Sequence, residues 1–440
     1  MSQHIKYYST SGNAPMATLE EAVVHGLASD KGLFMPETIG LLPQAFFNNI
    51  AEMSLTDIAY VVANTLFGGD IESEELKRIV SETLNFEIPL VHVAENRYSL
   101  ELYHGPTLAF KDVGARFMAR LLGYFNAKRG NGRMVNVLVA TSGDTGSAVA
   151  NGFLGVEGVR VFVLYPKGKV SRIQEAQFTT LGQNITALEV NGTFDDCQAL
   201  VKQAFMDAEL NEAMQLTSAN SINVARFLPQ MFYYFHAYAQ LAAKGKRTDN
   251  IVVAVPSGNF GNITAGLIGK RMGLPIKRFI AANNANDIFY QYLQTAKYNP
   301  RPSIATIANA MDVGDPSNFA RVLDLYGNDH SRIAAEISGC TYTDEQIAET
   351  LRDTLANEGY LLDPHGAVAY RSLLEGLAPD ETGIFLETAH PAKFKETVEA
   401  ITGNDVDIPA RLNAFLKGEK QSIPMQRTFA PFKKFLLSQA

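Results

Sequence analysis

Cysteine is scarce in these 440 residues: two occur, Cys197 and Cys340. Two such thiols make neither a disulfide framework nor a metal site, and they suit a reducing cytoplasm. The eight histidines are scattered, and none falls into His-Glu-x-x-His or a comparable ligand spacing, so no metal centre is expected. Charge is modest at 19% of residues, and a formal net charge of −8 argues against non-specific nucleic-acid binding. The opening stretch, MSQHIKYYSTSGNAPM, lacks an apolar secretory core. The most apolar long stretch, residues 227–243, contains Gln230, His236 and Gln240, which marks a core-facing helix and not a membrane span. Internal repeats and low-complexity linkers are missing too. What remains, 46% hydrophobic with 34 glycines and 18 prolines, is the composition of a soluble cytoplasmic protein. It is too long for one ordinary core.

Residues 1–95 read as mostly helical. Thr18-Leu19-Glu20-Glu21 has the form of a capping box, opening a helix through Ala22, Val23 and Leu27. Residues 55–67 and 72–84 give two further amphipathic patterns. No βαβ signal occurs here, so a separate N-terminal domain is expected. From residue 135 the texture changes. Apolar, β-branched runs at 135–140, 159–165, 185–190, 251–255, 279–282 and 383–387 alternate with helical patterns at 171–181, 194–208, 263–272, 304–325 and 343–357. That alternation implies an α/β fold with mainly parallel sheets.

Within residues 101–122, ELYHGPTLAFKDVGARFMARLL, one lysine stands in apolar company. Lys111 follows Leu108-Ala109-Phe110 and opens a helical pattern carried by Val113, Phe117, Met118, Leu121 and Leu122. Desolvation at such a junction disfavours the ammonium and lowers its pKa, yielding a nucleophilic or Schiff-base amine. An exposed first-turn lysine beside Asp112 is the commoner arrangement, so the rest of the chain has to decide.

Two loops bear on that choice. The strand at 251–255 runs into Pro256-Ser257-Gly258-Asn259-Phe260-Gly261-Asn262 and then a helix. Such a glycine-rich turn lets N–H groups converge on an anion at a helix N-terminus. It is neither a Walker A loop nor Gly-x-Gly-x-x-Gly, so one compact phosphate suits it better than a nucleotide. The second loop, Ala140-Thr141-Ser142-Gly143-Asp144-Thr145-Gly146-Ser147, gathers hydroxyls that would serve a carboxylate, or equally an N-cap. No Gly-x-Ser-x-Gly surrounds Ser142, so a serine hydrolase is disfavoured. Two anion-compatible loops and a buried lysine together suggest pyridoxal phosphate: an aldehyde for the lysine, a phosphate for a helix start, and a ring nitrogen for a polar partner. Thr388, at the end of the late strand 383–387, is placed to be that partner.

Four segments, HGPTLAFKDVGARF (104–117), ATSGDTGSAV (140–149), PSGNFGN (256–262) and LETAHPAKF (386–394), closely resemble the threonine synthase family. So do residues 7–12, HGLASDKGLFMPE (25–37) and SANSINVARFLPQ (218–230), and the set occurs in order over most of the chain. The resemblance implies the second fold type of pyridoxal-phosphate enzymes, the tryptophan synthase β-subunit group, and a class without a long adenosylmethionine-responsive extension. It implies a mainly helical N-terminal domain at 1–95 and a large cofactor domain at 96–134 and 225–400. A smaller inserted α/β domain at 135–224 and a C-terminal helical segment at 401–440 complete the expected layout.

The implied reaction is O-phospho-L-homoserine plus water giving L-threonine plus phosphate, a γ-elimination followed by β-addition of water. In it Lys111 matches the catalytic Schiff-base lysine, while Gly258, Asn259, Phe260, Gly261 and Asn262 match the cofactor phosphate loop. Thr388 matches the partner of the pyridine nitrogen. The loop holding Thr141, Ser142, Asp144 and Thr145 matches the segment that receives the substrate carboxylate. The substrate's own phosphate needs further donors, chosen among Lys169, Arg172, Asn220, Ser221, Asn223 and Arg226, with Arg172, Asn223 and Arg226 preferred. The partner expected is this small molecule, not nucleic acid or membrane, acting on a cytoplasmic monomer or homodimer. Two rivals stand beside this reading: a threonine or serine dehydratase of the same fold, and a catalytically silent metabolite-binding protein.

Overall fold

Two sheets, built from strands buried along most of their length, organise the chain in the computed structural model, which describes residues 4–130 and 132–440. Met1, Ser2 and Gln3 of the opening stretch, and Asn131, lie outside the described residues. A small antiparallel pair, β1 (Tyr7–Ser9) and β2 (Phe34–Pro36), precedes them. The larger sheet contains β3 (Leu90–Ala94), β4 (Arg97–Glu101), β9 (Ile251–Pro256), β10 (Ile276–Asn283), β11 (Ile337–Thr341) and β12 (Thr382–Glu387). Its order is β11-β10-β9-β12-β4-β3, parallel except for the β3–β4 hairpin. The smaller sheet holds β5 (Val135–Ala140), β6 (Val159–Pro166), β7 (Ile185–Asn191), β8 (Gln215–Ser218) and β13 (Ile423–Gln426). Its order is β13-β7-β6-β5-β8, parallel throughout.

Period-two alternation sends each strand's side chains into different cores. Val253 and Val255 join one cluster while Val252 and Ala254 join another; in the smaller sheet Val137 and Val139 part from Leu138 and Ala140 in the same way. The first of these clusters runs from one sheet to the other. It also takes in Val23, Val62, Leu66 and Ile79 from the N-terminal helices. Thr18 makes the expected capping box with Glu21, and the patterns at 55–67 and 72–84 become helices Leu55–Phe67 and Ser73–Thr83. Buried Arg321 stitches the N-terminal segment to the body. Its guanidinium donates to the carbonyls of Phe34, Ser221 and Ile222 and to Asn318 Oδ1, and it stacks over Phe227.

Three expectations need correction. Residues 304–325 are not one helix: a 3-10 turn, Asn309–Met311, and helix Phe319–Leu325 are separated by irregular chain. Asp312 holds that chain by accepting from the N–H and hydroxyl of Thr306 (3.0 and 2.7 Å) and from Asn284 (2.9 Å), bonds that compete with a helical ladder. Residues 90–94, expected in the N-terminal part, are the edge strand of the larger sheet. The C-terminal segment is not wholly helical, since β13 pairs in parallel with β7. As an edge strand it buries only Met425, which leaves no alternating pattern to read.

Helix Lys111–Arg129 crosses between these layers. Val113, Phe117, Met118, Leu121, Leu122 and Phe125 are buried, and the helix ends at Gly130 in the left-handed region at φ 61°. Its start carries no Ser or Thr cap. Instead Asp112, itself buried, accepts from the N–H (2.9 Å) and hydroxyl (2.6 Å) of Thr107 and so closes the preceding loop onto the first turn. Gly114 faces short helix Val224–Phe227 so closely that a Cβ would lie 2.2 Å from the Arg226 carbonyl oxygen. Gly114→Ala should therefore destabilise the protein by about 1–3 kcal/mol despite alanine's better helix propensity. Denaturant unfolding measures this, and an alanine variant as stable as the parent would refute the close-approach argument.

Candidate active site

A cavity of about 570 Å³ opens where the carboxyl ends of β5, β9 and β12 converge. Its walls include Lys111, Thr141, Ser142, Thr145, Lys169, Asn220, Ser221, Arg226, residues 256–263, His365 and Thr388. The two sheets contribute opposite walls.

Lys111 and Thr388 are brought together by backbone. The Phe110 N–H donates to the Thr388 carbonyl (2.8 Å) and the His390 N–H to the Leu108 carbonyl (3.1 Å), a short antiparallel bridge centred on Ala109 and Ala389. Leu108 adopts φ 58° to make it, a costly conformation for a non-glycine residue, of the kind that concentrates at functional sites. The Lys111 amine lies 5.6 Å from the centroid of the Phe110 ring and, among the described residues, has neither an ion-pair partner nor a hydrogen bond. Burial lowers its pKa to about 8; the Asp144 charge pulls the other way, and Arg226 and Lys393 reinforce the drop.

The loop at 257–261 is the second site of such backbone. Phe260 takes φ 64° and packs against Phe289, which turns the chain sharply into helix Gly261–Arg271. Gly258 lies so near the Ala310–Met311 backbone that a Cβ would be 3.1 Å from the Ala310 oxygen and 3.0 Å from the Met311 Cα. Asn259 is held from the far side, its carbonyl accepting from the Asn318 N–H (3.1 Å). The N–H groups of Gly261 and Asn262 sit in the first helical turn, where no carbonyl precedes them to bond. Tyr233 and Tyr234 both donate to Asn262 Oδ1 (2.7 Å each), which leaves its amide nitrogen buried and, among the described residues, without a partner, in a residue that lines the cavity. Unpartnered buried donors are costly. Together with the free helix start they suit an anion such as a phosphate.

The loop from 141 to 147 divides its labour. Thr141 Oγ1 accepts from the N–H groups of Gly143 (2.9 Å) and Gly146 (2.8 Å), so this hydroxyl caps its own loop. Ser147 likewise bonds to backbone. Ser142 and Thr145 face the cavity with hydroxyls uncommitted. Asp144 is not part of the cavity lining: its carboxylate pairs with Lys393 (2.6 Å) and accepts from Gln174 (2.9 Å), all three groups being buried. Burial opposes that charge, but Lys393, then Lys111, hold the carboxyl well below the usual range.

The preferred donors for a second phosphate separate. Arg226 lines the cavity, its guanidinium bonded to the Lys111 carbonyl (3.0 Å) and its Nε buried without a partner. Burial brings its pKa down to about 10, with Asp112 acting against the fall. Arg172 and Asn223 are not brought to the wall. Arg172 is exposed at the first position of helix Arg172–Thr179. Asn223 is consumed in structure, donating to the Val23 and Ser218 carbonyls and accepting from the Ala225 N–H. Lys169, Asn220 and Ser221 reach the cavity in their place. Lys393 and His365 were missed by sequence reasoning. Lys393 lies within LETAHPAKF, five residues past Thr388, which was the available signal; His365 had none beyond its position at a helix start. Among the described residues no cluster of metal-ligating side chains occurs and no helix is long and apolar enough to cross a membrane.

Known proteins match this chain along its length. Residues 95–386 match the family described as pyridoxal-phosphate dependent enzyme, residues 6–84 the threonine synthase N terminus, and residues 366–436 the threonine synthase C-terminal region. Threonine synthase from Haemophilus influenzae is 47% identical over 430 residues, 98% of this chain and 99% of that protein. The crystal structure of threonine synthase from Escherichia coli superposes with a TM-score of 0.91 at 42% identity, covering 99% of this chain and 100% of the other. The pyridoxal-phosphate-bound threonine synthase from Brucella melitensis gives 0.93 at 35% identity, covering 99% of both. Similarity this high, sustained from end to end, leaves no room for a different assignment: the chain belongs to the threonine synthase family of pyridoxal-phosphate dependent enzymes, with that group's second fold type.

Proposed function

We propose that this chain makes L-threonine and phosphate from O-phospho-L-homoserine and water, with pyridoxal phosphate carried on Lys111. The observation behind the role of Lys111 is an amine of lowered pKa, free of partners, one backbone hydrogen bond removed from Thr388. When bound, the cofactor supplies an electron sink for carbanions next to the substrate nitrogen. The residues present fit it. Gly258, Asn259, Phe260, Gly261 and Asn262 would hold its phosphate through the open helix start and the orphaned Asn262 amide. Thr388 would meet its ring nitrogen with a hydroxyl, which bonds a neutral pyridine without protonating it.

Lys111 has the second task. Its amine, when not bonded to the cofactor and with a pKa lowered to about 8, would be poised both to take and to give a proton at neutral pH. Ser142 and Thr145, with N–H groups of their loop, would receive the substrate carboxylate; Thr141 acts by holding that loop's shape. Arg226, Lys169, Asn220 and Ser221 would hold the substrate's phosphate, a requirement that a dehydratase lacks. The sheet membership supports a large cofactor region at 90–134 and 225–400 and a smaller inserted one at 135–224. We assign 1–89 as the mainly helical N-terminal part, and 401–440 as a return to the smaller sheet.

Lys111→Ala should lower phosphate release from O-phospho-L-homoserine at least about a hundredfold, and borohydride should fix the cofactor to Lys111 in the parent. A variant keeping full threonine production would sink the lysine's role. A parent that released no phosphate would sink the reaction itself. Replacing the Thr388 hydroxyl by Thr388→Val should reduce kcat about five- to tenfold, the size of one hydrogen bond, and shift the cofactor's absorbance. Lys169→Met should raise KM for phosphohomoserine about tenfold or more while leaving any slow turnover of threonine unchanged; equal effects on both substrates would remove Lys169 from the phosphate site.

A further inference from the structure

The buried pair Asp144–Lys393, whose two charges both act on Lys111, lies outside the roles assigned above. Lys393, in the 3-10 turn Pro391–Phe394 just after β12, belongs to the larger sheet's side. Asp144, first residue of helix Asp144–Phe153 after β5, belongs to the smaller sheet's side. Their charged atoms are 2.6 Å apart, with side chains 0% and 5% exposed. Neither is free to move. The Lys393 amine also donates to the Thr107 carbonyl (2.8 Å), which accepts from Gln177 as well (3.1 Å). Asp144 accepts from Gln174, whose amide packs where a Cβ on Gly143 would lie, 2.5 Å away.

A buried carboxylate will take whatever cation it can reach. The charged groups that act on the Lys111 amine are Asp144, Arg226 and Lys393; Asp112 is next in the chain but is held by Thr107. The wider cavity adds Lys169, Asp195, Asp312 and His365. Among the described residues, Asp144 is the carboxylate that acts on Lys111, and it does so from a buried position on the smaller sheet's side. We propose that Lys393 is a positioning residue for the lysine chemistry: by occupying Asp144 it keeps that carboxylate from clasping Lys111, leaving the Lys111 amine unpaired for the cofactor and for proton transfer. Lys393 thereby acts through Asp144 and touches neither substrate nor reacting atoms. This rests on Lys111 being the working lysine, so the test reads the lysine itself and not the reaction.

In full-length protein freed of cofactor, the pH dependence of Lys111 labelling by an amine-reactive reagent, followed by peptide mass spectrometry, gives the lysine's pKa. Lys393→Met should raise it by about one unit or more, because Asp144 is released toward Lys111. Asp144→Asn should lower it, because the one nearby anion is lost. Lys393→Met with Asp144→Asn should return it close to the parent value, and Lys393→Arg should leave it nearly unchanged. A purely structural role would not move the pKa in opposite directions for the two single changes. Shifts of the same sign, or none, would overturn the proposal. Should Lys393→Met fail to fold, the near-isosteric Asp144→Asn still decides: a Lys111 pKa that stays or rises refutes it. Absence of phosphate release by the parent protein, with the opposed shifts intact in the variants, would instead fault the assigned reaction.

Discussion

The short bridge between residues 108–110 and 388–390 is the constraint on which the site depends. Two backbone hydrogen bonds, Phe110 to Thr388 and His390 to Leu108, fix the start of a long buried helix against the carboxyl end of a central strand. Without them, a side-chain amine and a hydroxyl from distant parts of the chain would have no common frame. The bridge requires Leu108 in the left-handed region, and such strain persists only where the surroundings over-determine it. Here the surroundings are the Thr107–Asp112 bonds and the Lys393 amine on the Thr107 carbonyl. The helix start is held in place by side chains from both lobes.

From that frame the electrostatics follow. Desolvation sets the low pKa of Lys111, and the neighbouring cations deepen it. The loop after β9 has complementary character, with N–H donors at a helix start and a buried amide whose oxygen is taken by two tyrosines. One cavity therefore offers both an amine and an anion seat. A small molecule bearing an aldehyde and a phosphate answers both.

Contiguity decided what could be read in the sequence. The Gly258–Asn262 turn, Lys111 and Thr388 each sit in short runs whose composition reports a strand, a tight turn and a helix start, so their placement was legible, and the alternation of strands and helices gave two sheets. Asn223 and Arg172 were misjudged for a different reason. Both are polar groups near helix starts, and nothing local distinguishes an asparagine spent on the Val23 carbonyl from one facing a ligand. Nor could local pattern reveal that residues 304–325 fold around Asp312, since one of the competing hydrogen bonds comes from distant Asn284. The edge strand β13 escaped notice because it buries a single side chain.

The Asp144–Lys393 pair illustrates a further limit and its physical content. Each residue alone looks like an ordinary charge in a loop, and only the fold shows that they meet in the interior. Such a pair adds little net stability, since desolvating both charges offsets much of their attraction, yet removing one partner leaves the other stranded at a cost of about 3–5 kcal/mol. Because one charge comes from each lobe, the penalty applies to any arrangement that parts the lobes at this point without admitting water. Lys393 also donates to the Thr107 carbonyl, so the contact that joins the two sheets' sides bears on the same loop that Asp112 closes ahead of Lys111.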